Sequence, residues 1–273
     1  MNNVAQYFLY FIMYSVFGWI MEMIYCTITN YFRTKKFSIH NRGFLYGPLC
    51  PIYGTAATVM ILGLSNIKNV PLMVITGVIL CDTIEYFTSY IMEKLFHTRW
   101  WDYSDKALNI HGRIDLNHSI QWGILSYVFI NYIHPFFSNV FESFNETQLI
   151  EIAVVVFAYF LYDIINTVAS TISIRNLQSH MENIRASFSI LSEDSPLKRE
   201  KIPEYISEFR DKLAYVRRTR RARHILIAFP EIMNLMEKEM DEIQSIPHEF
   251  MNDIDDIRRE IRNFIDDHRP EMH

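Results

Sequence analysis

The chain reads as an all-α, polytopic membrane protein: about five transmembrane helices followed by a cytoplasmic helical bundle or coiled-coil tail. Three observations predict this. Five apolar stretches, each near the roughly 20 residues that a bilayer core of about 30 Å requires, fall before residue 175. Only 9 of the 26 Lys and Arg precede Arg175, so composition changes sharply along the chain. Beyond that point the apolar residues recur at heptad spacing instead of in unbroken runs.

The apolar stretches lie near residues 4–28, 44–67, 70–92, 118–137 and 149–174. The first is too long for a secretory signal core and has no basic residue before Arg33, so it reads as a retained span. Pro48 and Pro51 break the start of the second, and the fourth is the shortest. Lys and Arg alternate between loops: Arg33, Lys35, Lys36 and Arg42 in the first, and Lys94, Arg99, Lys106 and Arg113 in the third. The second holds only Lys68 and the fourth none. By the positive-inside rule the N-terminus lies outside, and residues 29–47, residues 93–117 and the tail face the cytoplasm. Residues 1–174 are then the membrane domain and residues 175–273 the tail.

The tail carries three seams. Leu177, Met181, Ile184, Phe188 and Leu191 step by four and three; so do Ile202, Ile206, Phe209, Leu213 and Val216, and then Phe250, Ile254, Ile257, Ile261 and Phe264 or Ile265. Breaks at residues 192–203, at Phe229-Pro230 and at Pro247 divide it into four helices, suited to an antiparallel bundle or to a homo-oligomer formed through a coiled coil. Arg217, Arg218, Arg220, Arg221 and Arg223 would coat much of one helix. They serve either anionic lipid or internal pairs with acidic residues such as Asp253, Asp255 and Asp256.

Several functions are excluded. A net charge of −5 with both halves acidic argues against nucleic acid as a partner. Cys26, Cys50 and Cys81 give neither a disulfide framework nor zinc spacing, and His97, His111 and His118 are irregularly placed, so neither metal nor cofactor is expected. With no GK pair there is no Walker A loop, and no hydrolase elbow or HExxH appears, so the chain does not read as an enzyme.

Charges within the spans need a reason, because each costs at least a few kcal/mol in hydrocarbon. Glu22, Asp82, Glu85 and Asp163 fall in the cytoplasmic halves of their helices, where they line an inward-open cavity or pair with Arg42, Arg99 or Arg113. Glu151 falls near an outer end. Residues 41–54 read NRGFLYGPLCPIYG, too rich in Gly and Pro for a regular helix, and mark either a broken helix beside a pathway or a tight packing corner. In the third loop Arg99, Trp100, Trp101, Asp102, Asn109 and Arg113 either hold an anionic or aromatic head group or sit at the membrane interface.

Together these stretches resemble the bacterial family of ABC-transporter permeases of the CmpB type, small multi-pass membrane proteins. The carrying residues are Phe17-Gly-Trp19 with Glu22 and Tyr25, the run Arg42–Gly54, Glu85-Tyr86 with Thr88 and Ser89, Glu93, and Arg99–Ser104. Asn109, Gly112–Ile114, Ser119, Trp122-Gly123 and His134-Pro135 follow in order. The resemblance covers roughly residues 10–135. It implies transport through the bacterial inner membrane, and a separate ATPase subunit as partner, since this chain has no nucleotide site. The expected ligand-binding set, opening to the cytoplasm, is Glu22, Arg42, Asp82, Glu85, Arg99, Trp100, Trp101, Asp102, Asn109 and Arg113. The alternative is a non-transporting membrane scaffold or regulator whose helical tail recruits a soluble partner.

Overall fold

The structure, a computed structural model, describes residues 4–35, 37, 43–96, 99, 101–190, 201–228, 232, 236–238, 241 and 248–272. Among these residues it is helical, with an isolated bridge between Ile110 and Ile114. Helix α1 is Val4–Thr34, α2 Pro51–Leu64, α3 Val70–Phe96, α4 Leu116–Val128, α5 His134–Glu142, α6 Glu146–Ile190, α7 Ile202–Arg218, α8 Arg220–Ala228 and α9 His248–Met272.

Three stretches are long and apolar enough to cross a membrane: Val4–Phe32 in α1, Val70–Leu95 in α3 and Glu146–Ala186 in α6. No more than 22% of any of their apolar windows is buried within the chain, so their large side chains, such as Ile75, Ile79, Val154 and Val155, need an apolar surrounding that the chain itself does not supply. This is a membrane protein.

The other two expected spans differ from their sequence outline. Helix α2 has only 14 residues, a rise of about 21 Å, because Pro51 sits in its first turn and residues 43–50 are irregular. The fourth stretch is α4, a π turn over Phe129–Ile133, and α5. Pro135 explains the turn, since a proline lacks an N–H and its ring crowds the carbonyl four residues back. The widened turn relieves that crowding, and the His134 N–H donates to the Phe129 carbonyl, five residues back.

The chain divides into two compact units that interleave in sequence. One comprises Met1–Glu22 and Gly47–Asp163. Its core gathers Tyr10 and Tyr14 of α1, Ala56, Ala57, Met60, Ile61 and Leu64 of α2, Met73 and Cys81 of α3, and Phe129. The other comprises Met23–Tyr46 and Ile164–His273. There the described seam residues are buried: Leu177, Met181 and Ile184 of α6, Ile202, Ile206, Phe209, Leu213 and Val216 of α7, and Phe250, Ile254, Ile257, Ile261 and Phe264 of α9. Helices α7, α8 and α9 pack on one another. The Phe188 and Ile265 side chains, Leu191, Phe229-Pro230 and Pro247 lie outside the described residues.

Helices α1 and α2 approach so closely that two glycines face the partner helix. A Cβ on Gly54 would lie 2.4 Å from the Phe11 carbonyl oxygen and 2.1 Å from Ser15 Oγ, and one on Gly18 would lie 2.3 Å from Tyr53 Cβ. Backbone cannot yield as a side chain does, so Gly54→Ala should destabilise the protein by about 1–3 kcal/mol. Gly63→Ala on the same helix meets only the tip of Leu80 at 3.0 Å and should be near neutral. Thermal melts of the two variants in detergent check this.

Candidate functional site

On α3, Asp82, Glu85, Ser89 and Glu93 share one face by their three- and four-residue spacing. Helix α4 presents matching donors from Ser119 and Trp122, also three apart. Ser119 Oγ donates to Asp82 Oδ2 at 2.7 Å, and Trp122 Nε1 donates to Glu85 Oε2 at 2.8 Å. Glu85 is 6% exposed, and its second oxygen accepts from the Tyr103 hydroxyl at 3.3 Å. Both oxygens of Glu85 are therefore engaged. Asp82 differs, because its Oδ1 is buried with no hydrogen-bond partner.

Glu22 joins this cluster through α2. The Tyr53 hydroxyl donates to Glu22 Oε2 at 2.7 Å, and the Tyr53 ring lies 6.2 Å from that of Trp122. Tyr103, in the loop between α3 and α4, has its phenol pushed up by burial first and then by Glu85, with smaller contributions from Asp115 and Glu22. Its ring stacks on His118 at 4.4 Å, and His118 Nδ1 donates to Asp115 Oδ2 at 2.5 Å. Asp115 also caps α4, accepting from the Asn117 and His118 N–H groups, which gives the helix a fixed start beside the carboxylates.

The arginines go elsewhere. Glu93 receives Arg113 at 2.6 Å and Arg99 at 3.2 Å, and Arg99 also reaches Asp102 at 3.3 Å. Arg113 lies over the rings of Tyr86 and Tyr90, at 5.4 and 5.5 Å. Among the described residues no Arg or Lys pairs with Asp82 or Glu85, so of the two readings of those carboxylates, locking by Arg99 or Arg113 is not what is observed. Arg42 and Trp100 lie outside the described residues.

The remaining loop residues hold one another. Trp101 Nε1 donates to the Arg113 carbonyl at 2.9 Å, and Asp102 Oδ1 accepts from the Ser104 N–H and hydroxyl. Those Ser104 hydrogen bonds, with Arg99 beside them, hold the Asp102 carboxyl below its ordinary range. The Asn109 amide donates to the Ser104 and Lys106 carbonyls and accepts from the Gly112 N–H. Gly112 has φ +69°, and a Cβ there would meet Ser104, Asp102 and Arg99, so the loop closes only around a glycine. Asp163, 1% exposed, accepts from the Gly47 N–H at 2.9 Å and so satisfies backbone in the irregular segment before α2.

The structure thus brings together Glu22, Asp82 and Glu85, and separately Arg99, Trp101, Asp102, Asn109 and Arg113. Sequence reasoning missed the partners Tyr53, Tyr103, Ser119 and Trp122 and the hub Glu93. The four-residue steps Glu85, Ser89, Glu93 were a readable signal for the last. The donors on α4 were not, because their register against α3 is a tertiary property. Trp122→Phe removes the donor to Glu85 and should cost about 1–3 kcal/mol. A double-mutant cycle with Glu85→Gln should show coupling of at least about 0.5 kcal/mol, read from melts of the purified proteins.

A family model described as "Putative ABC-transporter type IV" matches residues 9–168, more than half of the chain and all of the carboxylate cluster. No curated protein and no solved structure matches it.

Proposed function

The chain belongs to that putative type IV ABC-transporter family, and we propose that it is a permease-like transport protein whose polar site, centred on Asp82, opens to the cytoplasm. One observation carries the reading: a carboxylate oxygen sits buried and unpartnered on an apolar helix, beside a second carboxylate that is saturated. An orphaned acceptor costs free energy unless something donates to it. The nearby donors of Tyr53, Tyr103, Ser119 and Trp122 are committed to carboxylates. Besides Asp82 Oδ1, the Ser89 hydroxyl on the same face is buried without a partner and can donate or accept; the orphaned carboxylate oxygen fits a ligand bearing positive charge or N–H and O–H groups. In this reading Asp82 contacts the ligand, Glu22 adds negative charge, and Glu85 fixes α3 against α4. The third-loop group of Arg99, Trp101, Asp102, Asn109 and Arg113 shapes the cytoplasmic rim.

The reading keeps five spans, with residues 1–174 in the bilayer of the inner membrane, the N-terminus outside and residues 175–273 in the cytoplasm. Alternate basic loops support this arrangement. Energy would come from a separate ATPase subunit. The second reading, a scaffold or regulator whose tail recruits a soluble partner, is favoured by the saturation of Glu85, Glu93 and Asn109 inside the chain. Identification of the proteins that co-purify in mild detergent separates the two, with an ATPase expected for transport.

Asp82→Asn should keep the wild-type melting point within a few degrees and lose the stabilisation given by a panel of inorganic and organic cations. Glu85→Gln should lower the melting point instead, because an amide cannot accept at both positions. A lowered melting point with wild-type cation shifts in Asp82→Asn would overturn the assignment of Asp82. Separately, a membrane-impermeant thiol reagent applied to intact cells should label Ser138→Cys and leave Ser104→Cys unlabelled. Labelling of Ser104→Cys would overturn the orientation.

A further inference from the structure

Five arginines stand at the end of α7 and the start of α8, and they do not share one fate. Arg217 pairs with Glu260 of α9 at 3.1 Å. Arg221 lies over the Tyr46 ring at 4.8 Å. Arg218, Arg220 and Arg223 have no side-chain partner among the described residues, and Arg223 Nε is out of solvent without an acceptor. A guanidinium N–H left so costs free energy that an oxyanion would recover. The acidic side chains expected to neutralise this run are engaged elsewhere: Asp253 receives Arg210 at 2.9 Å, and Asp255 and Asp256 pair with Arg258 and Arg259 of their own helix.

The backbone adds to this. Thr219 is extended at φ −87° and ψ 113°, which ends α7 and restarts the helix at Arg220. The Arg223 N–H donates to the carbonyl of Thr219, the residue before α8, at 3.0 Å. As at any helix start, the first turn of α8 carries the positive end of the helix dipole. Helix α8 is also tied to the segment that leads into apolar α2. His224 Nε2 donates to the Gly43 and Leu45 carbonyls at 3.0 and 3.2 Å, and Tyr46 packs on both the His224 ring and Arg221. Both acceptors are carbonyl oxygens, so the proton on this nitrogen is fixed by the geometry.

We infer that Arg218, Arg220 and Arg223 form a phosphate-binding site that takes the head group of an anionic phospholipid at the cytoplasmic face. The choice of lipid over soluble phosphate rests on the membrane reading above, since a segment joining apolar α1 to apolar α2 runs at the bilayer surface. Alkaline carbonate extraction tests that reading by itself: release of the chain without detergent would end the membrane reading and leave the phosphate site standing.

The site is tested on the purified full chain in neutral detergent, titrated with dihexanoyl phosphatidylglycerol, dihexanoyl phosphatidylcholine and inorganic phosphate, with the melting temperature as readout. Each basic residue near a bilayer surface contributes about fivefold in affinity, so three contribute about a hundredfold. The glycerol lipid should stabilise the wild type at far lower concentration than the choline lipid. Combined Arg218→Gln, Arg220→Gln and Arg223→Gln should remove that preference, while Arg258→Gln with Arg259→Gln keeps it. Equal shifts from the two lipids in the wild type would overturn the proposal whether or not the triple variant folds. So would an undiminished preference in a folded triple variant. A shift from inorganic phosphate alone would overturn the lipid as occupant and assign the site to a soluble phosphate.

Discussion

A carboxylate on an apolar helix must find its hydrogen-bond donors inside the protein, and much of the first unit follows from that requirement. Hydrocarbon supplies no donors, and an ion left alone there costs several kcal/mol. Glu85 can sit on α3 only if Trp122 and Tyr103 are brought to its two oxygens. That fixes the rotation of α4 about its axis and draws the third loop back onto α3. Asp115 secures the arrangement from the other side, because the residue that caps α4 also holds the ring of His118, on which Tyr103 stacks. Capping, stacking and carboxylate satisfaction are one connected network, so none of its members is adjustable alone.

The third loop shows how position in sequence can mislead about position in space. Trp and Arg between two spans are the expected furniture of a membrane interface. Here Trp101 spends its N–H on the Arg113 carbonyl, and Arg113 is only 12% exposed, clamped between Glu93 and two tyrosine rings. These are commitments to the loop itself. An interface tryptophan would direct its N–H to lipid or water, and an interface arginine would keep its guanidinium exposed. Trp101, Asp102, Asn109 and Arg113 thus brace the loop that carries Tyr103 to the carboxylates.

How much was legible in advance depended on the range of the interactions involved. The spans in α1, α3 and α6 and the buried seams of α6, α7 and α9 are one-dimensional patterns of length and periodicity, and they survive in three dimensions. The extent of α2 was less legible, because hydropathy sees apolar residues from 44 to 67 while Pro51 sets where the helix starts. The π turn had a local cause in Pro135, but a proline does not announce whether a helix will kink, stop or widen. Asp82 and Glu85 were recognisable as requiring partners. Which partners they would have was not, since Ser119 and Trp122 lie 37 residues away and Arg99 and Arg113 were nearer candidates in the same loop. Glu93 decided that competition: being at the end of α3, it offers both arginines a partly solvated carboxylate and spares them the desolvation of approaching Glu85.

The same reasoning separates the two acidic residues that spacing alone makes equivalent. Three positions apart on one face, they have similar neighbours, yet one accepts at both oxygens and the other at one. A saturated, buried carboxylate is a poor place to bind anything, because a ligand would first have to break Trp122 or Tyr103 away from it. An oxygen already desolvated and still unpaired presents the opposite balance: part of the cost of binding has been met in folding, and a donor arriving there recovers it. The contrast between a saturated carboxylate and one with an unpaired oxygen therefore needs no difference in their chemistry. It needs only that α4 and the third loop each bring one donor to Glu85, Trp122 and Tyr103, while Ser119 alone stands beside Asp82.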